Sequence, residues 1–104
     1  MAKFLKVATT SEFESAAGGK LVHVDEQEIA LFKVGGNYYA LENACPHAGG
    51  PLADGELEGD VVTCPWHGSQ FNVMTGAVVG PPANCGVKSF PVRATGNDVE
   101  IGID

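Results

Sequence analysis

Hydrophobic and polar residues alternate along most of this chain, in short runs bounded by glycine, asparagine or aspartate. Runs of this kind predict β-strands with one buried face, joined by tight turns. The predicted strands cover residues 4–7, 21–24, 29–34, 38–41, 56–58, 61–63, 69–73, 77–79, 88–93 and 98–103. The predicted turns are Gly35-Gly36-Asn37, Gly59-Asp60, Thr75-Gly76 and Gly96-Asn97. The pattern therefore indicates an antiparallel all-β fold made of hairpins.

One segment departs from this alternation and predicts a short helix. Ser11 is suited to the N-cap position and Glu14 follows three residues later, which is the pattern of a capping box. Gly18 and Gly19 would end that helix after about two turns. A chain of 104 residues leaves room for one domain, so we expect residues 1–104 to fold as a single unit.

Charge and composition narrow the classes of partner. The formal net charge is −7, with six Lys and Arg against 13 Asp and Glu. Phosphate backbones require a basic surface, so we expect no nucleic-acid partner. Four acidic residues near the middle of the chain, Asp54, Glu56, Glu58 and Asp60, could steer a partner with a basic face or could only solvate their hairpin.

The expected compartment is the cytoplasm. No apolar stretch is long enough for a signal peptide or a membrane span, so we expect no membrane association. The three cysteines are an odd number, which favours metal binding over a set of secreted disulfides. Cys85 has no His nearby in the sequence and is expected to be a packing residue or a bystander thiol.

Two matched motifs contain the candidate chemistry. Cys45-Pro46-His47 and Cys64-Pro65-Trp66-His67-Gly68 each supply a thiol and an imidazole, and 16 residues separate His47 from Cys64. Both motifs lie between predicted hairpins. Two Cys and two His in this arrangement are typical of a Rieske [2Fe–2S] centre, in which two His replace two Cys on one iron.

The residue types suit that chemistry. Thiolates and imidazoles bind iron, and proline next to each Cys restricts the loop backbone. Glycine at positions 49, 50 and 68 lets the backbone approach sulfide ions and direct N–H groups toward them. Neutral imidazoles make the cluster less negative than four thiolates do, so reduction is easier, at about −150 to +300 mV.

A structural zinc site of two Cys and two His is the competing metal hypothesis. Zinc fingers usually pair Cys with Cys and His with His, whereas each motif here mixes the two types. His23 lies in a strand pattern away from both motifs, and we expect it to be a surface or packed residue.

With these motifs, the chain closely resembles the Rieske-type ferredoxins of bacterial multicomponent aromatic-ring oxygenase systems. The resemblance covers nearly the full length and rests on three segments: 45–52 (CPHAGGPL), 64–71 (CPWHGSQF) and 80–83 (GPPA) ahead of Phe90-Pro91-Val92. It implies the Rieske fold, with three small antiparallel β-sheets and a cluster-binding insertion at residues 43–71 on a base formed by 1–42 and 72–104.

The resemblance also implies roles for individual residues. Cys45 and Cys64 would bind the inner iron, and His47 and His67 the outer iron. The residues expected around the cluster are Gly49, Gly50, Trp66, Gly68, Ser69 and Pro81.

Two departures from the respiratory branch of the family indicate a low-potential protein. Gly50 and Trp66 occupy the positions of that branch's loop disulfide, and Phe71 replaces a tyrosine directed at a ligand sulfur. Ser69 keeps the place of a serine that can bond a bridging sulfide.

By this resemblance, the protein would be a monomeric one-electron carrier rather than an enzyme. It would take electrons from a flavin-dependent ferredoxin reductase and pass them to a terminal Rieske non-haem iron oxygenase that acts on an aromatic substrate. The small subunit of an assimilatory nitrite reductase shares the fold and is the alternative. Many such subunits lack the cluster ligands, so the complete ligand set here counts against it.

Overall fold

The structure is a computed structural model that describes residues 3–13, 19–24, 26–44, 50–66, 68–80 and 86–103. Short strands make up most of these ranges. In chain order they are β1 (Lys3–Thr9), β2 (Gly19–Val24), β3 (Gln27–Val34), β4 (Asn37–Glu42), β5 (Glu56–Glu58), β6 (Val61–Thr63), β7 (Gln70–Asn72), β8 (Val78–Gly80), β9 (Ser89–Phe90), β10 (Val92–Thr95) and β11 (Asp98–Ile103).

The strands form three antiparallel sheets, as the sequence predicted. One sheet has the order β1-β11-β10, the second β2-β3-β4-β9, and the third β5-β6-β7-β8. The hairpin of β5 and β6 pairs Glu56 with Thr63 and Glu58 with Val61, at the bounds predicted from the sequence. These observations confirm the expected all-β architecture of three small sheets.

Strand β3 is fully buried at its centre and separates two apolar cores. Ala30 and Phe32 belong to a first core that includes Cys64 and Phe71 of the third sheet. Ile29 and Leu31 point to the other side and belong to a second core under the first sheet. Alternate side chains of a strand face opposite ways, so one strand can contribute to both cores. The first core therefore attaches the third sheet to the rest of the protein.

Proline at position 91 divides a segment that was predicted as one strand, residues 88–93. β9 pairs with β4 of the second sheet, whereas β10 pairs with β11 of the first sheet. Pro91 lacks an N–H and cannot donate to a sheet ladder, although its carbonyl oxygen accepts the Gly102 N–H at 2.8 Å. The chain passes between the two sheets at this residue, so the prediction of one continuous strand was wrong.

The helix at this position begins at Thr10, one residue before the proposed cap, Ser11. A 3₁₀ helix covers Thr10–Phe13, and the Glu12 carboxylate accepts the Thr9 backbone N–H at 2.7 Å. Thr9 rather than Ser11 is therefore the capping residue, paired with Glu12. A hydrogen bond from Lys20, together with the Thr9 N–H, lowers the pKa of exposed Glu12. The remainder of the predicted helix, residues 14–18, lies outside the described residues.

A second 3₁₀ helix, Leu52–Asp54, follows the first candidate ligand loop and contributes buried Leu52 and Ala53 to the first core. Within the described ranges, no helix is long and apolar enough to cross a membrane.

Candidate metal centre

Both predicted ligand motifs fall at connections between described elements, although residues 45–49 and 67 themselves lie outside the described residues. The first ligand loop, residues 44–51, begins after β4 and ends at the second 3₁₀ helix. The second ligand loop, residues 64–69, connects β6 to β7. The two loops therefore start from different sheets and must meet through tertiary contacts.

The second ligand loop is closed by backbone hydrogen bonds. Thr63 pairs with Gln70 at the end of the β6–β7 ladder, and the Cys64 N–H donates to the Ser69 carbonyl oxygen at 2.7 Å. Inside this closure, the Gly68 N–H donates to the Cys64 carbonyl oxygen at 3.1 Å. Gly68 has φ of +80°, a backbone conformation that residues other than glycine rarely adopt. The tight return of this loop therefore depends on glycine at position 68.

The two elements that flank the first ligand loop, β4 and the second 3₁₀ helix, do not form a hairpin with each other. Ala44 and Pro51 form an isolated β-bridge across its base. Beyond that bridge, the Leu52 N–H donates to the Asn43 backbone oxygen and the Ala53 N–H donates to Asn43 Oδ1, both at 2.8 Å. The base of this loop is thus fixed largely by Asn43.

The end of the first ligand loop lies directly against the second. A Cβ placed on Gly50 would come within 2.5 Å of Cys64 Sγ and 3.2 Å of the Trp66 Cβ. No real side chain tolerates the first distance, so only glycine permits this approach. The thiol of Cys64 is therefore at the contact between the two loops.

Cys64 has an apolar environment behind it. It is 2 % exposed and belongs to the first core together with Phe71, Leu52 and Val62. Trp66, two residues further on, has 56 % of its surface exposed. The second ligand loop thus runs from the core to the surface between these two residues.

Several predicted site residues lie within the described ranges. Cys64 and Ser69 are buried, Gly50 contacts Cys64, and Gly68 and Trp66 are exposed in the second ligand loop. The other predicted residues lie outside the described residues, namely Cys45, His47, Gly49, His67 and Pro81, as does Cys85. All four proposed ligands therefore remain predictions, and Cys64 is the one that lies within the described residues.

The described part of the site fits an iron–sulfur cluster. Its thiol is buried at a loop contact, and the glycine opposite allows the backbone to come close to sulfur. Thiolate sulfur is the preferred donor for iron–sulfur clusters. The predicted ligands Cys45 and His47 are attached within a few residues of Gly50, and His67 is attached three residues after Cys64.

Asn43 was missed by the sequence analysis. It is only 4 % exposed, and it follows β4 two residues before Cys45. Its position between a strand and a Pro/Gly-rich loop could have indicated this role, because asparagine side chains often form hydrogen bonds with nearby backbone groups. His23 is an exposed residue with Nε2 3.6 Å from a Glu28 carboxylate oxygen, which agrees with the expectation of a surface or packed residue.

Comparisons with known protein families and with individual proteins agree on one family. The model of the Rieske [2Fe-2S] domain matches residues 3–91. Ferredoxin CarAc of Metapseudomonas resinovorans is 33% identical over 94% of this chain and 92% of its own. The biphenyl dioxygenase ferredoxin subunit of Pseudomonas sp. strain KKS102 is 36% identical over 94% of this chain and 90% of its own.

A solved structure shows the same fold. It is a complex of reduced oxygenase and oxidized ferredoxin in carbazole 1,9a-dioxygenase. One chain of that complex superposes on this protein with a TM-score of 0.86 and 33% identity, covering 94% of this chain and 91% of its own.

Proposed function

Because this chain belongs to the Rieske [2Fe-2S] domain family, we propose that it carries single electrons between a flavin-dependent ferredoxin reductase and a terminal Rieske non-haem iron oxygenase. The oxygenase would act on an aromatic compound, as the names of the biphenyl dioxygenase ferredoxin subunit and of the carbazole 1,9a-dioxygenase complex indicate for their own systems. A bound [2Fe–2S] cluster supplies one-electron redox chemistry.

The contact between Gly50 and Cys64 is the observation that carries this proposal. It places the ends of two loops, each with one Cys and one His in its sequence, against each other. We assign Cys45, His47, Cys64 and His67 as the ligands, since these four residues form the complete Rieske set of donors. Gly49, Gly50, Trp66, Gly68, Ser69 and Pro81 would surround them.

The chain's own residues supply two functions around that site. The apolar side chains behind Cys64 exclude water from the inner side, which strengthens electrostatic interactions there. Exposed Trp66 belongs to the part of the second ligand loop that leads to the surface, and His67 is the next residue in the sequence, so we assign the electron exit to this loop. No group described here is assigned as a catalytic acid, base or nucleophile.

The remaining assignments follow from this role. Residues 1–104 would form one monomeric domain in the cytoplasm, with 43–71 as the cluster-binding insertion. The two alternative functions are less well supported. The biphenyl dioxygenase ferredoxin subunit and the ferredoxin of the carbazole 1,9a-dioxygenase complex are named as parts of oxygenase systems, which does not favour a nitrite reductase subunit. Membership of the Rieske family argues against a structural zinc site.

Single-turnover electron transfer tests the proposal. The purified protein, reduced anaerobically by one electron, is mixed with an oxidised Rieske oxygenase of an aromatic dioxygenase system, and absorbance of both proteins is followed. We expect one electron to leave each chain and appear in the oxygenase. Cys64→Ser protein is the matched control and should transfer none.

Two results would contradict the proposal. One is a reduced, cluster-containing protein that transfers no electrons to oxygenases from the naphthalene, biphenyl and carbazole systems. The other is substrate oxidation by the chain alone, because a carrier has no substrate chemistry of its own.

A further inference from the structure

The described residues contain two buried polar side chains, one directly before the first ligand loop and the other at the end of the second. Asn43 is 4 % exposed and precedes Cys45 by two residues, whereas Ser69 is fully buried and follows His67 by two residues. Burying a polar side chain has a free-energy cost unless its hydrogen bonds are made. Because one such residue lies at each ligand loop, we expect each of them to stabilise the backbone of its loop.

Asn43 makes three hydrogen bonds from three different groups. Its backbone N–H donates to the Glu28 carbonyl oxygen of β3 at 3.1 Å. Its backbone oxygen and its Oδ1 accept the N–H groups of Leu52 and Ala53, both at 2.8 Å. The donors are backbone N–H groups, so the atom that accepts from Ala53 must be the amide oxygen. One residue thus connects β3, the start of the first ligand loop and the helix after it.

The two ligand loops differ in what holds their ends together. Paired strands β6 and β7 close the second loop, and their ladder continues to Thr63 and Gln70. The first loop begins after a strand and ends at a 3₁₀ helix, which cannot form a ladder with that strand. In the second loop, backbone hydrogen bonds between paired strands hold the two ends together. In the first loop, the hydrogen bond from the Ala53 N–H to Asn43 Oδ1 does part of this work.

We propose that Asn43 is a positioning residue for the metal centre, which holds the first ligand loop in the one shape that presents its Cys and His to the cluster. This inference rests on the proposed assignment of Cys45 and His47 as ligands. Leucine at position 43 would leave the buried Ala53 N–H without an acceptor, and the loop base would open or sample several positions.

The test compares Asn43→Leu with two control variants in the cluster-loaded protein. Glu42→Leu is the matched control, because Glu42 also accepts a backbone N–H at 2.8 Å, from Lys88, but this bond does not span the loop. Val99→Ala lowers stability from the second core, away from the loops. Asn43→Asp keeps an oxygen acceptor at the same place and tests for rescue.

Two readouts are measured for each variant. The first is the rate of iron transfer to a chelator at neutral pH, which should rise about tenfold or more in Asn43→Leu, since a lost bond to a buried donor is worth on the order of a factor of ten. The second is the EPR signal of the reduced protein, whose lines should broaden in Asn43→Leu because the ligands occupy several positions. Asn43→Asp should release iron at close to the wild-type rate, and both controls should keep the wild-type line width.

The positioning role is overturned if Asn43→Leu releases iron no faster than Glu42→Leu and Val99→Ala and keeps the wild-type line width. It is also overturned if Asn43→Leu and Asn43→Ala both fail to fold, because Asn43 would then support the whole fold. Failure of the proposed function is distinguishable, since it would appear as a cluster retained in Cys64→Ser or Cys45→Ser.

Discussion

At the scale of single residues, the site depends on how close Gly50 comes to Cys64. A buried thiol inside an apolar core would ordinarily be inert packing. Here the thiol meets the end of another loop at a distance that excludes any Cβ. Burial and loop contact together distinguish Cys64 from an ordinary core cysteine.

Replacing individual cysteines should separate ligands from bystanders. Wild-type protein should contain about two irons and two acid-labile sulfides per chain, as a [2Fe–2S] cluster requires. Cys64→Ser and Cys45→Ser should lose the cluster and its visible absorbance, because serine oxygen is a poor donor for it. Cys85→Ser should keep both. Colour retained in Cys64→Ser and lost in Cys85→Ser would overturn the ligand assignment.

A hydroxyl at position 71 should raise the reduction potential. Phe71 is fully buried and shares the first core with Cys64. In Phe71→Tyr the new O–H can donate to a ligand sulfur, which stabilises the more negative reduced state, so we expect a rise of roughly tens of millivolts. Voltammetry should show this rise in Phe71→Tyr and not in Phe32→Tyr, which adds a hydroxyl elsewhere in the same core. Equal midpoints in the two variants would refute the effect of a specific bond.

At the scale of elements, hairpin turns fix the strand register that brings the loops together. The β3–β4 turn consists of Gly35 and Gly36, of which Gly35 has φ of +63°. A Cβ at either glycine would meet no atom within 4 Å. The two positions therefore differ in backbone conformation but not in available space.

Alanine substitutions at these neighbouring glycines should have different effects on stability. Gly35→Ala forces a residue with a side chain into the left-handed region, at a cost of about 1 kcal/mol or more. Gly36→Ala should leave stability unchanged or raise it, since alanine lowers the entropy of the unfolded chain. Thermal unfolding at one fixed scan rate should give a lower midpoint for Gly35→Ala, by roughly 4–8 °C. A larger loss in Gly36→Ala would contradict the assigned turn geometry.

Elements whose signals are local were predictable from sequence, and those that depend on tertiary partners were not. Turn glycines and alternation located β5, β6 and β11 at their observed bounds. The break in the strand at Pro91 was not predicted, because the alternation of hydrophobic and polar residues continues on both sides of it. The change from one sheet to the other depends on which strands lie nearby. Asn43 was missed for the same reason, since its amide function depends on Ala53, ten residues away. The predicted ligand motifs were visible because their chemistry is in the residue types themselves.

At the scale of the whole molecule, charge is distributed unevenly. Residues 34–87 contain no Lys or Arg, and their five acidic residues are Glu42, Asp54, Glu56, Glu58 and Asp60. The Lys and Arg ion pairs within the described residues all lie outside this range, for example Lys6 with Asp98 and Arg93 with Glu100. The half of the chain with the ligand loops is therefore the more negative one, which favours approach by a partner with a basic surface.

Electron transfer to the oxygenase should slow with added salt. Between about 0.01 and 1 M salt the screening length falls from about 30 to 3 Å, so the attraction disappears. The double variant Glu56→Gln/Glu58→Gln should show a slower second-order rate at low salt and a weaker salt dependence. Glu26→Gln, an exposed residue of the base, should change both less. Stopped-flow rates that rise with salt would contradict an acidic docking face.

The reduction potential of the purified protein tests the central claim that two Cys and two His hold a [2Fe–2S] cluster. A spectroelectrochemical titration should give a single one-electron wave, at about 59 mV per tenfold change in the ratio of oxidised to reduced protein. Its midpoint should lie near the low end of the Rieske range, at about −150 mV. A midpoint near −400 mV, the value for four thiolate ligands, or a colourless protein with no wave would contradict the account.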